Sequence, residues 1–162
     1  MTTVGFYGGS EFRGLGPAVD MQLFFECVRF CITELPNGTD GGLLTDRLYR
    51  RYLRLEELDP AAKLVGQIRE ILTDTSTDTV NWTGFKPSQS RLDPSLPHLG
   101  ALFDRYLNSA LDLISNARGF QKKFNIYKPV ITIITDTPRF YIERSRPLAD
   151  YDALEGKPMW LR

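Results

Sequence analysis

Apolar residues recur at helical spacing through the first half of the chain, and they predict three helices. The first follows Pro17, which suits the first turn of a helix, and ends near Pro36. Its apolar face consists of Met21, Phe24, Phe25, Val28, Cys31, Ile32 and Leu35. A shorter helix is predicted from Leu43 to Leu53. The third begins at Asp59, which we expect to cap it because proline follows, and runs through Leu72.

The second half of the chain predicts one long helix. Its apolar positions keep the helical period from Leu99 to Ala117, and Gly119 is the expected stop. The short run Thr79–Trp82 predicts a strand. The segment 86–97 contains three prolines and has no regular period, so it is predicted to be a loop.

Short β-prone runs lie near both ends of the chain. Val4–Tyr7 predicts a first strand, and the glycine-rich segment Gly8–Gly16 is interpreted as a loop leading into the first helix. Near the other end, Val130–Ile134 and Phe140–Ile142 flank a turn with the sequence Thr-Asp-Thr-Pro. These two runs predict a C-terminal β-hairpin.

Strands at both ends with helices between them predict one α+β domain over residues 1–162. We expect a small, mainly antiparallel sheet packed against three to four amphipathic helices. A chain of 162 residues can bury a sufficient core without a metal or disulfide. The polar segment 147–162 is expected to be a loosely ordered tail.

Composition narrows the classes of partner. Lys+Arg and Asp+Glu number 20 each, so attraction to nucleic acid or to an anionic membrane is not a global property. We find no run of about 18 apolar residues that predicts a membrane span, and the N-terminus does not read as a secretory signal. Cys27 and Cys31 are the only cysteines. These observations predict a cytoplasmic protein.

The sequence contains parts of three kinds of reacting centre, and each pattern is incomplete. Gly14-Leu15-Gly16 is followed by Pro17, so a phosphate-binding turn lacks its third glycine and one amide donor. A strand-to-helix turn is the preferred interpretation. His98 is the only histidine, and it has no nucleophile motif near it. Cys27 and Cys31 lack further metal ligands. We therefore expect no catalytic residue, no metal and no cofactor.

Two basic clusters predict a possible contact with nucleic acid. Arg47, Arg50, Arg51 and Arg54 share one side of the second predicted helix. Lys122, Lys123 and Lys128 are interleaved with the aromatic residues Phe120, Phe124 and Tyr127. The preferred interpretation is a solvated surface for the first cluster. Core packing explains the second cluster equally well. The alternative function is a nucleic-acid-binding accessory protein that uses the Arg47–Arg54 face.

Acidic residues lie at both ends of the helix that begins near Asp59. Glu56, Glu57 and Asp59 lie at its start, and Glu70, Asp74 and Asp78 flank the threonine-rich loop at its other end. Carboxylates can compete for groups that bind phosphate and can steer a basic partner. A protein that neutralises a basic nuclease needs such a surface.

Several short motifs, in this order, resemble the bacterial immunity protein 70 family over roughly residues 4–118. They are Val4-Gly5-Phe6, Gly14-Leu15-Gly16, Phe24-Phe25, Leu48-Tyr49, Tyr52-Leu53, Glu56-Glu57-Leu58-Asp59, the helix Ala61–Leu72, Val80-Asn81-Trp82 and Leu102-Phe103. The segment from about Tyr127 to Arg162 extends beyond the likeness.

The resemblance implies a function in contact-dependent growth inhibition or a related polymorphic-toxin system. A member of this family is expected to bind and neutralise the toxin domain that a sibling cell delivers, which is a nuclease in some such systems. The family offers no catalytic residues. The candidate toxin-binding residues in this chain are Glu56, Glu57, Asp74, Asp78 and Trp82.

Overall fold

The computed structural model describes residues 2–85, 89–124, 131–136 and 158–161. The predicted α+β class is confirmed, because a three-stranded antiparallel sheet packs with several helices. The strands are β1 (Val4–Gly8), β2 (Glu11–Gly16) and β3 (Thr132–Thr135), in the order β2-β1-β3. The sheet therefore joins a strand near the end of the chain to the first strand.

The register of the sheet places Phe6 of β1 opposite Arg13 of β2 on one side and Ile133 of β3 on the other. Phe6 is fully buried. The second strand of the predicted C-terminal hairpin, Phe140–Ile142, lies outside the described residues.

The interpretation of Gly8–Gly16 as a loop was wrong, because most of this segment is β2. Only Gly9 and Ser10 form the turn, and both have positive φ angles, of 56° and 67°. Two successive left-handed residues are the geometry of a tight two-residue hairpin. Glycine meets this need at Gly9, and the hairpin returns the chain along β1.

Two of the predicted helices form as α1 (Ala18–Thr33) and α2 (Leu58–Thr73). The predicted long helix begins at Leu99 but is divided into α3 (Leu99–Leu102) and α4 (Asp104–Phe124). The break falls at Phe103, whose φ and ψ angles are −106° and 18°. Gly119 is not a stop, since it has no positive φ angle and α4 continues through it.

The helix predicted from Leu43 to Leu53 forms only in part. A π-helix covers Leu43–Leu48, and the backbone at Leu53 is instead paired with Ile131. The Leu53 amide donates to the Ile131 carbonyl at 2.7 Å, and the Ile131 amide donates back at 3.2 Å. This pairing requires extended backbone, so the helix cannot reach Leu53. The apolar residues at helical spacing in this segment, Leu44, Leu48 and Tyr52, are nevertheless buried.

The short strand predicted at Thr79–Trp82 does not form. Two 3-10 turns flank α2, one over Leu55–Glu57 and one over Thr77–Thr79. Ser76 caps the second turn, because its hydroxyl accepts from the Asp78 amide at 3.2 Å. The capped turn includes Thr79, and a second turn follows over residues 82–84, so only a short stretch remains between them.

The core lies between the sheet and the helices. α4 contacts β1, β2 and α2, and α1 packs on α2. Of the predicted tail, the structure describes residues 158–161, where a 3-10 turn covers Met159–Leu161. Trp160 is buried, and its indole N–H donates to the Tyr49 carbonyl at 2.9 Å. This part of the tail therefore packs on the core.

Candidate functional site

The five predicted binding residues fall into two groups at opposite ends of α2. Glu56 and Glu57 directly precede the helix, whereas Asp74, Asp78 and Trp82 follow it. A helix of 16 residues at about 1.5 Å per residue separates the groups by roughly 24 Å. The structure therefore does not bring the five residues together into one site, and each end is considered separately.

At the N-terminal end, the Glu57 side chain is bound by two residues of the same chain. Its carboxylate accepts from the Arg54 backbone amide at 3.1 Å and lies 2.7 Å from Nε of Arg47. Arg47 also pairs with Asp40 at 3.1 Å. Carboxylates at the start of a helix are favoured by the helix dipole. Glu57 is thus engaged within the chain, while Glu56 is exposed.

At the C-terminal end, the carboxylates have no such engagement. We call Glu70, Asp74 and Asp78 the acidic end of α2. All three are exposed, and none has an ion-pair partner among the described residues. The last turn of α2 contains no basic residue. The C-terminus of a helix already carries partial negative charge, and these carboxylates add to it.

The loop that carries Asp78 is held firmly by buried contacts. The hydroxyl of buried Thr77 donates to the Leu96 carbonyl at 2.5 Å. The Thr77 carbonyl in turn accepts from the indole N–H of Trp82 at 2.9 Å. Trp82 is half-buried and meets the Phe85 ring edge-on at 5.9 Å. A surface held in this way loses little entropy when a partner binds.

One exposed aromatic residue was missed by the sequence reasoning. Phe30 is 55 % exposed. Glu26 lies four residues before it in α1, and Glu34 lies four residues after it, at the C-cap of the helix. Residues at this spacing share a helix face. The available signal was that Phe30 belongs to the polar stripe of an otherwise amphipathic helix. Single exposed apolar residues are common on protein surfaces.

The arginine side of the second predicted helix does not present four free guanidinium groups. Arg47 is ion-paired as described above, and Arg51 is half-buried. The guanidinium carbon of Arg54 lies 5.7 Å from the centre of the Tyr52 ring, within the range of a cation–π contact. Arg50 is exposed. The surface available for phosphate is therefore smaller than the spacing suggested.

The other basic cluster lies at the end of α4. Lys122 and Lys123 are exposed in its last turn, where positive charge is favoured by the helix dipole. Phe120 is half-buried. Tyr127 and Lys128 lie outside the described residues.

A carboxylate of the chain itself lies at the start of α1, where the glycine-rich turn suggested a phosphate site. Asp20 is buried in the first turn, and its Oδ2 accepts from the Arg91 backbone amide at 2.8 Å. The hydroxyl of Tyr106 lies close by, and burial together with the charge of Asp20 raises the pKa of that hydroxyl. A phosphate at this helix end would meet the carboxylate of Asp20.

The remaining candidate reactive groups are engaged or buried. Nδ1 of His98 accepts from the Ala101 amide at 3.0 Å and caps α3. Burial raises the pKa of Cys27 to about 12 and that of Cys31 to about 11, so both are neutral thiols at pH 7. Among the described residues, no three His, Cys, Asp or Glu side chains are grouped to hold a metal ion.

Within the described part of the chain, no helix combines the length and apolar character needed to cross a membrane. Comparison with known proteins gives no match to a family model, to a curated protein or to a solved structure. Any functional inference therefore depends on the surface itself and on the motif resemblance described above.

Proposed function

We propose that this chain is an immunity protein, which binds and neutralises a toxin domain delivered by contact-dependent growth inhibition or by a related polymorphic-toxin system. The observation that carries the proposal is the acidic end of α2, whose three carboxylates are exposed at the electronegative end of a helix. The resemblance of residues 4–118 to the immunity protein 70 family favours the same function.

The acidic end fits a basic partner. A toxin that cleaves nucleic acid needs Lys and Arg to hold phosphate groups, and carboxylates can pair with the same side chains. Opposite charges also steer association, and they raise rate constants from about 10⁵–10⁶ toward 10⁸–10⁹ M⁻¹s⁻¹ at low salt. Fast capture is what an immunity protein requires, because the toxin must be bound before it reaches its substrate.

Capture is expected in the cytoplasm of the recipient cell. Both cysteines are free thiols, which suits a reducing compartment. The rigid attachment of the Thr77–Thr79 turn to Leu96 and Trp82 presents Asp78 in one arrangement. A preformed surface favours both rapid and tight binding.

Co-expression with the toxin tests the proposal. The partner to use is the C-terminal domain of a large secreted protein encoded directly upstream of this chain. We expect that domain alone to stop growth, and co-expression of this chain to restore it. Failure to restore growth, or a gene neighbourhood without such a reading frame, would remove the proposal.

Charge-neutralising variants test the surface that carries the proposal. The triple variant E70Q/D74N/D78N should lower the association rate constant at low salt at least about tenfold and weaken its dependence on salt. The matched control is E26Q/E34Q/D46N, which removes three other exposed carboxylates and changes the net charge equally. Equal effects of the two variants would show that the toxin senses net charge alone and does not contact the acidic end.

A further inference from the structure

The outward face of α2 has a gap at its centre, at Gly66. Asp59, Lys63, Gly66 and Glu70 follow one another at intervals of four, three and four residues, so they share one side of the helix. The buried apolar residues of α2 occupy the opposite side. A Cβ atom at Gly66 would have no atom of the described residues within 4 Å.

Nothing in the described part of the chain requires a glycine at this position. After proline, glycine is the least favourable residue in a helix interior, and Gly66 lies midway along α2. Its φ angle is not positive, so any residue could adopt this backbone conformation. At Gly5, by contrast, a Cβ would lie 1.9 Å from the Arg13 carbonyl oxygen. At Gly41, a Cβ would lie 2.5 Å from a side-chain carbon of Ile32.

A glycine that is unfavourable in its helix, and that no described neighbour requires, is suited to an approaching molecule. Without a side chain, the helix backbone can be reached closely from outside. Glu70 is the next residue along the same face, so the gap is continuous with the acidic end of α2. Lys63 lies one turn toward the N-terminus, and the charge along the face therefore changes from positive to negative across Gly66.

We infer that a basic polypeptide segment of the toxin crosses α2 at Gly66, with its backbone against the helix. Its Lys or Arg side chains lie toward Glu70 and Asp74, because Lys63 repels them on the other side. The inference rests on the proposed function. It adds where the partner crosses the surface and in which direction its charged side chains point.

Two matched substitutions test the crossing point. Gly119 in α4 is another glycine within a helix, and no atom of the described residues lies within 4 Å of its Cβ position. Gly119 is exposed, whereas Gly66 is half-buried. Glutamine is a good helix former, so G66Q and G119Q should each raise the melting temperature of the free protein, by roughly 1–3 °C. We expect G66Q to raise the Kd for the purified toxin domain at least about tenfold, mainly through faster dissociation. We expect G119Q to leave the Kd within about twofold.

Each result decides a different claim. Unchanged toxin binding by G66Q would overturn the crossing point while leaving the proposed function intact. A lower melting temperature for G66Q would give the glycine a role inside the fold and would also overturn the inference. If the wild-type chain does not bind the toxin domain, the proposed function and this inference fail together.

Discussion

Glu57 and Asp74 carry the same chemical group in different surroundings. Glu57 is held by Arg47 and by the Arg54 amide, whereas Asp74 has neither kind of contact among the described residues. The difference depends on a residue ten positions upstream in the sequence, and local spacing does not reveal it. A carboxylate that stabilises the fold and one that is available to a partner are therefore distinguished only by their three-dimensional neighbours.

Buried thiols make the protein sensitive to alkaline solution. Burial raises the pKa of Cys27 to about 12 and that of Cys31 to about 11, from an ordinary value of 9.0. Above pH 9 the unfolded chain therefore releases thiol protons that the folded chain retains, and stability falls as pH rises. We expect the free energy of unfolding in urea to be fully retained below pH 9 and to decrease between pH 9 and about 11.

The double variant C27A/C31A is the control for this pH dependence. It removes both thiols, so its stability should decrease less steeply over the same range. The raised pKa of Tyr106 contributes a slope of the same sign, which Y106F would remove separately. An identical slope in the wild type and in C27A/C31A would contradict the assignment to the cysteines.

At the scale of whole elements, the acidic end of α2 opposes the stability of the helix that carries it. Replacing Asp74 by Lys places a positive charge at the helix C-terminus, where it should stabilise the protein by about 0.3–1 kcal/mol. The same change should weaken toxin binding. Thermal unfolding and binding measured on one protein preparation would test both effects.

Asp59 provides the matched control, because it lies in the first turn of α2. Replacement of Asp59 by Lys puts positive charge at the helix N-terminus and removes an ion pair with Arg118. This variant should be less stable than the wild type. If D74K is destabilised as well, then Asp74 has a structural function, and the interpretation of this end as a binding surface loses its basis.

The elements that sequence predicted best are those whose packing follows a local period. The apolar residues of α1 and α2 recur every three to four positions, and most of the predicted face of α1 is buried. Ile32 and Leu35 are only half-buried, and Leu23 is buried as well. β2 was missed because its identity depends on pairing with β1, and its glycines resemble those of a loop. The π-helix was missed for a similar reason, since the contact with Ile131 that limits it comes from a distant part of the chain.

The candidate site was predictable only in its chemistry. The sequence indicated acidic residues at both ends of α2 and an aromatic residue after it, and the structure places them there. Trp82 was also expected to lie in a strand, but it lies in a turn, where its indole N–H donates to the Thr77 carbonyl. Phe30 was not predicted, although its place in the polar stripe of α1 indicated exposure. Gly66 was not predicted because its interest depends on space that no described residue fills, and periodicity does not encode such space.

At the scale of the whole molecule, the fold is closed by contacts between distant parts of the chain. β3 pairs with β1, Ile131 pairs with Leu53, and Trp160 packs edge-on against Tyr49 with ring centres 5.4 Å apart. In each of these contacts one partner lies beyond residues 4–118, the region that resembles the immunity protein 70 family. The C-terminal extension thus contributes to the same core as the region that carries the proposed binding surface.

Trp160 allows this integration to be measured. Because the side chain is 5 % exposed, W160A should leave a large cavity and lower the free energy of unfolding by about 3–5 kcal/mol. W160F keeps a ring in place but leaves the Tyr49 carbonyl without its indole donor, so it should cost only about 1–3 kcal/mol. Urea unfolding followed by far-UV circular dichroism would give both values.

If W160A is as stable as the wild type, the C-terminal turn is an appendage, and the core ends with the sheet and the four helices. If the loss follows the predicted order, removal of the extension should also weaken toxin binding indirectly, through a less stable fold, with no change at the acidic end itself.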